Sequence, residues 1–449
     1  MNFALKTSLL ACLLLSTACA APTDDGDDEV RGVSSSAVAG APGTLDTTFD
    51  ADGKVLTNVS GGRANAVVVL PALFSGASKY LVGGHGGGMP KLVRYDERGV
   101  VDASFPTPAF EPGTIVAGAA LPNGDSIWVQ NVCFAQGCED TTSSLYESSF
   151  VRVIRVNANG GSFQSDALPT PVNGATALAA TSLAIGDDGA ITVAGAAFDG
   201  GGNVVGFVSR FSTDATGVRP IAIKSGGNTR LATPTPNATE VHTGVTAHGS
   251  TLHLSVLRNY QGRTWACFKR LLTDGTTDPF LEAKDNGAQC VSRGAMLAIA
   301  PGGSSMTGYS YAGSDLGTSR PTADAQEVVD DTKRVVAIWT MLILNGKGVW
   351  NMQRVDFAST ASEEGRAISY DANGKLVVVG LTQGPSNFLA LRTDGWKLDT
   401  TFDGDGKVLT DFTSSSNEGA YAMAIDPNDR IVSVGSASGQ FALSRLDAH

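Results

Sequence analysis

The chain has 449 residues with 44 acidic against 32 basic, a formal net charge of −12. That balance argues against nucleic acid as a partner, which needs a basic footprint. With 54 glycines, short β-branched runs and no long stretch of helical apolar period, the texture is all-β.

The first element in chain order is a processing segment. In MNFALKTSLLACLLLSTACA, Lys6 supplies a positive n-region, Leu9 to Leu15 a short apolar core, and small residues follow. The apolar stretch falls short of the roughly 20 residues that a spanning helix needs. LSTAC reads as a bacterial lipobox with Cys19 as the lipidated residue, although Ser16 stands where leucine is usual; Ala18-Cys19-Ala20 also reads as an ordinary signal-peptidase site. A cysteine at this boundary, followed by the acidic run APTDDGDDEV, favours the lipid tether. An outer-membrane or surface lipoprotein is therefore expected ahead of a free periplasmic or secreted protein, with membrane contact through the lipid alone. Residues 21–42 read as an acidic, Ser- and Gly-bearing linker, and 43–449 as one domain. Length alone would suggest two or three domains, but the repeats below argue for one.

LDTTFDADGKVLT at Leu45–Thr57 recurs as LDTTFDGDGKVLT at Leu398–Thr410, 353 residues later, with one difference, Ala51 against Gly404. Between them runs a repeated pattern of apolar strand, Gly/Asn/Asp turn and second strand. It occurs seven times, at 66–84, 116–130, 182–195, 244–256, 296–309, 367–380 and 422–435. Asn-Gly, Asp-Gly and Gly-Gly at the turns tolerate the positive φ of tight hairpins. A third strand follows each hairpin, at 91–99, 150–160, 206–217, 265–275, 335–348, 388–395 and 441–449, and six of the seven contain an arginine. Fourth segments follow the first six units, at 100–110, 161–170, 218–226, 278–285, 349–357 and 398–410, and none follows the last.

The missing piece is the N-terminal copy. The expectation is a seven-bladed β-propeller with four antiparallel strands per blade, the N-terminal strand completing the last blade, so that 53–59 pairs beside 440–446. Closure of this kind removes the open edge that a row of sheets would present. The offset of 353 over six steps gives a repeat of about 59 residues, close to the hairpin spacing.

LALRTDGWKLDTTFDGDGKVLT followed by AYAMAIDPNDRIVSVG, within 388–435, resembles the delta-60 repeat, a bacterial motif of about sixty residues. The resemblance extends over 43–99, while the middle units keep the hairpin and lose L-D-x-x-F. It implies an exported β-propeller repeat protein and brings no catalytic residues with it.

Six cysteines include Cys12 and Cys19 of the leader, leaving Cys133, Cys138, Cys267 and Cys290. Four allow three pairings; Cys133–Cys138 and Cys267–Cys290 close the shortest loops and are favoured, as suits an oxidising compartment. A metal site is the rival, but no CxxC occurs and no histidine stands near a cysteine in the sequence. Asp50/Asp52 and Asp403/Asp405 alternate before glycine as in a calcium loop, yet Thr48 and Thr401 hold the first loop position and no closing Glu follows, so turn chemistry is expected there. His242, His248 and His253 cluster in the fourth unit at spacings that match no metal signature, and His85 lies alone in a glycine-rich loop that lacks a phosphate-binding helix. G-x-S-x-G is absent. The expectation is therefore no cofactor, no metal and no catalytic residue.

Connections between second and third strands vary most, with insertions at 133–149 and 309–334. Variable loops on a rigid scaffold are where binding usually resides. The leading expectation is a monomeric, non-enzymatic envelope protein that binds a protein or glycan through these loops. The alternatives are a hydrolase, lyase or cofactor-dependent dehydrogenase using the axial funnel, disfavoured by apolar inner strands such as AVVVL and AMAID, and a structural envelope spacer.

Overall fold

A computed structural model describes residues 40–71, 78–133, 150–164, 175–199, 203–214, 217–221, 223, 229–231, 238–260, 262–278, 288–311, 333–344, 347–357, 362–383, 386–413 and 417–448. Apart from a 3-10 turn at Pro301–Gly303, every regular element among them is a β-strand. The hairpins form where the sequence alternates and then breaks at a residue that accepts positive φ. Gly124, Gly189 and Gly374 take φ of 86°, 73° and 77°, and in the last hairpin Asp429 takes 58°.

Unit one pairs Arg63–Leu70, Lys79–Gly86 and Met89–Tyr95; unit two pairs Gly113–Ala120, Ser126–Val132, Phe150–Val156 and Ser162–Gln164. Unit three pairs Ala175–Ile185, Ile191–Asp199, Val204–Asp214 and Gly217–Pro220, with Thr229–Leu231 on the same edge. Units four and five share a seven-stranded sheet. Its strands are Ala238–His248, Thr251–Tyr260, Arg263–Leu272, Ala288–Ile299, Ser305–Tyr311, Arg334–Leu344 and Lys347–Val355. Unit six holds Ser362–Tyr370, Leu376–Gln383, Phe388–Asp394, Lys397–Leu398 and Lys407–Thr410. Unit seven holds Glu418–Ile425, Ile431–Ala437 and Gln440–Leu446, and its outer edge is taken by Lys54–Thr57 from the other end of the chain, in register Lys54↔Ser444 to Thr57↔Phe441.

The first strand of each unit touches the first strand of the next, and that of unit seven touches that of unit one. Apolar clusters fill the spaces between successive units. Trp128 and Ile154 meet Leu81 between units one and two, and Phe441 and Val434 meet Tyr80 and Val82 between units seven and one. The core is thus a series of inter-sheet layers rather than one central mass.

One expected fourth strand is corrected, and another falls almost wholly outside the described residues. Of the segment 278–285 only Asp278 is described. Asp278 is drawn to Arg270, at 2.7 Å, and the edge of unit four is taken by the first half of Ala288–Ile299, where Cys290 faces Cys267. The Cys267–Cys290 disulfide, with Cα atoms 3.9 Å apart, pins that register. The same strand runs on without a break to become the first strand of unit five. In unit one, 100–110 contributes a single bridge, Tyr95↔Val101, because Pro106 and Pro108 bring no N–H to a ladder.

The repeated thirteen residues now have a physical reason. Arg445 and Arg392 on third strands donate from Nε to Asp46 and Asp399 at 2.8 and 2.7 Å. Each aspartate also accepts from a threonine hydroxyl two residues on, Thr48 or Thr401, at 2.6 Å. Phe49 and Phe402 lie under the two guanidinium groups at 4.6 and 4.8 Å. VDASF of unit one is a degenerate copy, in which Arg94 meets Asp102 at 3.0 Å and Phe105 at 4.4 Å. L-D-x-x-F is therefore an arginine dock. Five of these third-strand arginines also donate to a carbonyl of the following unit: Arg94 to Ala158, Arg155 to Asp214, Arg210 to Thr273, Arg392 to Ala448 and Arg445 to Glu97. These ties sit at the end of the sheets that carries the first hairpin turns. The second-to-third and unit-to-unit connections lie at the other end, called here the loop end.

Candidate functional site

Each of the seven first strands carries one β-bulge at an equivalent place near the loop end. The bulged residues are Asn65, Val116, Thr181, Thr243, Leu297, Arg366 and Tyr421, all half-buried. The carbonyl two residues before the bulged one lies close against the partner strand, and in five units the facing residue is glycine. A Cβ on Gly84, Gly195, Gly308, Gly380 or Gly435 would stand 1.9, 2.1, 1.9, 1.9 or 1.8 Å from that oxygen. In the sequence two of these glycines, Gly380 and Gly435, end the runs VVVG and VSVG.

Bulged side chains reach across to the next unit. Asn65 Nδ2 donates to Ile115 O at 2.9 Å, Thr181 Oγ1 to His242 O at 2.5 Å and Thr243 Oγ1 to Met296 O at 2.6 Å. In units six and seven the bulged residues are a cation and a ring. Arg366 lies 5.8 Å from the centre of the Tyr421 ring, and Arg63, two residues before the unit-one bulge, lies 5.0 Å from the same ring. Ring closure makes this meeting possible, since Arg63 and Tyr421 are at opposite ends of the chain.

From Arg366 the contacts continue into unit five. Glu364 is buried between Arg366 Nη2, which donates to its Oε2, and Arg334 Nη1, which donates to its Oε1. Gln383 Nε2 adds a bond to Oε1 at 3.4 Å. Arg334 stacks over Tyr309 at 4.5 Å, Tyr309 meets Tyr311 edge-on at 6.0 Å, and Arg293 lies 5.3 Å from Tyr311. Burial pushes the Tyr309 hydroxyl above its ordinary pKa against the opposing charge of Arg334, so it stays protonated. The result is an arc from unit five to unit one: Arg293, Tyr311, Tyr309, Arg334, Glu364, Arg366, Tyr421 and Arg63. Two of its four arginines, Arg334 and Arg366, pair with its carboxylate, Glu364.

The suspected segment 309–334 enters and leaves this arc, with Tyr309 and Tyr311 at its start and Arg334 at its end; residues 312–332 lie outside the described ones. For 133–149, Cys133 is described and disulfide-bonded, while 134–149, including Cys138, lies outside the described residues. Cys19 also lies outside them.

The three clustered histidines are not brought to one point. His242 is buried at the interface of units three and four, its Nε2 3.1 Å from Glu240 Oε1 and its Nδ1 3.1 Å from Phe207 O, with Lys269 also donating to Glu240. Burial holds His242 neutral. Burial raises the Glu240 pKa, but the hydrogen bond from His242 and the charge of Lys269 outweigh it and hold the carboxyl down at about 2. His253 packs edge-on against Phe268 toward the other end of the sheet, and burial lowers its pKa to about 4. His248 is exposed, 3.5 Å from Asp187. His85 is buried with Nδ1 3.1 Å from Thr114 Oγ1. Asp52 and Asp405 accept the backbone N–H groups of Lys54 and Lys407 at 2.9 and 2.8 Å, as turn caps. Among the described residues no three His, Cys, Asp or Glu side chains form a group able to hold a metal.

The expectation of apolar first strands holds only for the halves nearer the hairpin turns. Their starts carry the arc, as RAN, SEEGR and EGAY just before AVVVL, AISY and AMAI. The signal was present in units six and seven, where Arg366 and Tyr421 stand directly ahead of the apolar runs.

No family model matches the chain, and no curated protein matches it in sequence. Among solved structures, polysaccharide lyase Uly1 aligns with TM-score 0.44 and 10% identity over 94% of this chain and 96% of its own. An α-L-arabinanase from Penicillium chrysogenum gives 0.42 and 12%, over 74% and 92%. A gluconolactonase from Xanthomonas campestris gives 0.37 and 13%, over 90% and 94%. These neighbours are β-propeller proteins, and at this level of likeness none lends the chain an activity.

Proposed function

We propose that the chain is an exported seven-bladed propeller of the delta-60 kind, tethered through Cys19, whose domain over 43–449 binds a glycan or protein of the cell envelope without transforming it. The observation that carries this reading is the arc at the loop end. It places three tyrosines and four arginines, each half-exposed or stacked on its neighbour, where the unit-to-unit and second-to-third connections gather. Tyr and Arg are the side chains that most often anchor recognition, since each combines a flat contact face with a polar group. The seven-unit count is supported by the cycle of first-strand contacts and by the inter-unit apolar clusters.

The test is to replace 312–332 by a short Gly-Asn turn and measure two quantities. These are the melting temperature and retention of the purified domain on washed envelopes of the producing organism, separated into polysaccharide and protein fractions. Shortening a loop changes closure entropy by only about 0.6 kcal/mol per halving, so the melting temperature is expected to hold while retention is lost. Unchanged retention places the site elsewhere, and a collapse in stability makes the segment structural.

A further inference from the structure

We infer that the loop end of the seam between units three and four is a pH-sensitive joint, closed while His242 is neutral and opened when that ring takes a proton. The first support is enclosure. His242 is only 1% exposed, on the face of unit four that meets unit three. Its ring lies on the bare backbone of Gly206 in the third strand of unit three, where a Cβ would stand 2.2 Å from Nε2. A shut seam therefore has no room to hydrate an imidazolium. The second support is what surrounds the ring. On its own strand Glu240 Oε1 lies 3.1 Å from Nε2, and Lys269 Nζ, from the third strand of unit four, donates to that same oxygen. On the second strand the buried Arg258 stands opposite Glu240 in register. Unit three faces the ring with the Phe207 carbonyl, 3.1 Å from Nδ1, and with Gly206, neither of which titrates. The connections within and between units three and four at this end, 200–202, 232–237 and 261, contain no Asp, Glu, Lys, Arg or His.

A proton on His242 thus sets its ring and Lys269 as two cations on one carboxylate, beside an apolar layer of Val208, Val245, Leu254 and Val256. Burial, joined by the charge of Lys269, outweighs the pull of Glu240 and holds the ring below its ordinary pKa. A depressed histidine pKa favours the closed form above about pH 6.5, and that advantage is lost as pH falls toward the folded value. The third support is that only one end of the seam depends on this ring. At the hairpin end Arg210 donates to the Thr273 carbonyl at 3.1 Å and Gly249 N to Asp187 Oδ2 at 2.8 Å. On its far side unit four is fixed to unit five by the unbroken strand Ala288–Ile299 and by the Cys267–Cys290 disulfide. His253, out of phase on the neighbouring strand, faces that far side against Phe268 and Gly303. A buried proton at His242 is therefore relieved by parting the loop end of the seam between units three and four.

Thiol labelling of the intact mature domain tests the joint. Val208→Cys places a thiol in this seam, on the face that carries Gly206, and Ala442→Cys places one between units six and seven as the control. Each is labelled with dithiodipyridine, and the rate at every pH is referred to that of free cysteine. One proton coupled to opening makes the Val208→Cys rate rise by up to about tenfold per pH unit, so roughly thirtyfold from about pH 6.5 to about pH 5. The control should change by less than about threefold, because its seam holds no histidine. In a His242→Gln background the rise at Val208→Cys should disappear, since glutamine gains no charge. Should that background fail to fold, the titration of His242 itself, followed at Cε1 by NMR in the parent, gives the answer. A ring neutral at about pH 7 that charges only below about pH 6.5 supports the joint, and an imidazolium at about pH 7 overturns it. Labelling at Val208→Cys that ignores pH, a rise that persists with His242→Gln, or an equal rise at Ala442→Cys would each overturn it as well.

Discussion

Replacing Asp46 with alanine is expected to destabilise the domain by about 3–5 kcal/mol, the cost of leaving a buried cation without its partner. Arg445 is fully buried. Its guanidinium donates to Asp46 at 2.8 Å, Thr48 Oγ1 at 2.8 Å, Tyr80 OH at 3.1 Å and the Glu97 carbonyl. Those partners all lie within residues 46–97 while Arg445 stands near the other end of the chain, so the loss falls on the closure seam. Asp426, bonded to Tyr80 at 2.8 Å, remains nearby and sets the lower end of the range. Urea denaturation should show a lower midpoint with an unchanged slope. The pH dependence follows from the same group. Burial raises the Asp46 pKa, but bonds from Thr48 and Arg445 outweigh it and hold it below the ordinary value. A depressed folded pKa gives stability that is present above about pH 4 and lost as pH falls through the folded value. Asp102 and Asp399 are likewise held low by hydroxyl and cationic partners. The parent should therefore lose stability steeply below about pH 4, and the Asp46→Ala protein less steeply.

Gly380→Val is the second large effect. A Cβ there would stand 1.9 Å from the Glu364 carbonyl, and that oxygen belongs to a bulge with no room to withdraw. Overpacking of this kind costs about 1–3 kcal/mol when side chains can yield; here the obstacle is backbone, so the loss should reach or pass the upper figure. Gly374→Ala is the matched control. It lies in the preceding hairpin turn with φ of 77°, and a Cβ added there would meet nothing within 4 Å, so only the positive-φ strain of about 1–2 kcal/mol applies. The Val variant should also weaken ligand binding more than its stability loss explains, because Glu364 orients both Arg334 and Arg366. Thermal melts of the two proteins beside the envelope-retention assay check both statements.

The features legible in the sequence were those written in one continuous stretch. LDTTF carries dock, cap and ring within five residues, and a hairpin declares itself through alternation and an Asn-Gly or Asp-Gly turn. Closure was legible because Leu45–Thr57 and Leu398–Thr410 are near-copies and the last unit lacks a fourth segment. The arc was not, because Arg63 meets Tyr421 only where the two ends of the chain come together, and Arg366 and Tyr421 are turned out of the strand alternation by their bulges. A period-of-two reading assigns a bulged residue to the wrong face. The outer strand of unit four also escapes a sequence reading. The strand beside Arg263–Leu272 is the segment around Cys290, opposite Cys267, which the repeat pattern does not mark. The ends of the insertion at 309–334, Tyr309, Tyr311 and Arg334, stand in the arc.

Closure by the N-terminal strand underlies both the fold and the arc, and a rearranged chain tests it most directly. Gly43 N donates to Asp447 O at 2.7 Å and Asp447 N to Thr44 O at 3.0 Å, so the two ends already form the turn that Asp394–Trp396 makes within unit six. Residues 44–60 can therefore be moved behind Leu446 through a short Asp-Gly turn, in a chain that begins at 61. The measurement is the melting temperature of this permutant beside the parent domain and a chain lacking 44–60. Closure predicts that the permutant melts within a few degrees of the parent and that the deletion melts far lower or fails to fold. A deletion as stable as the parent, or a permutant no better than the deletion, would contradict closure and with it the joining of Arg63 to Tyr421.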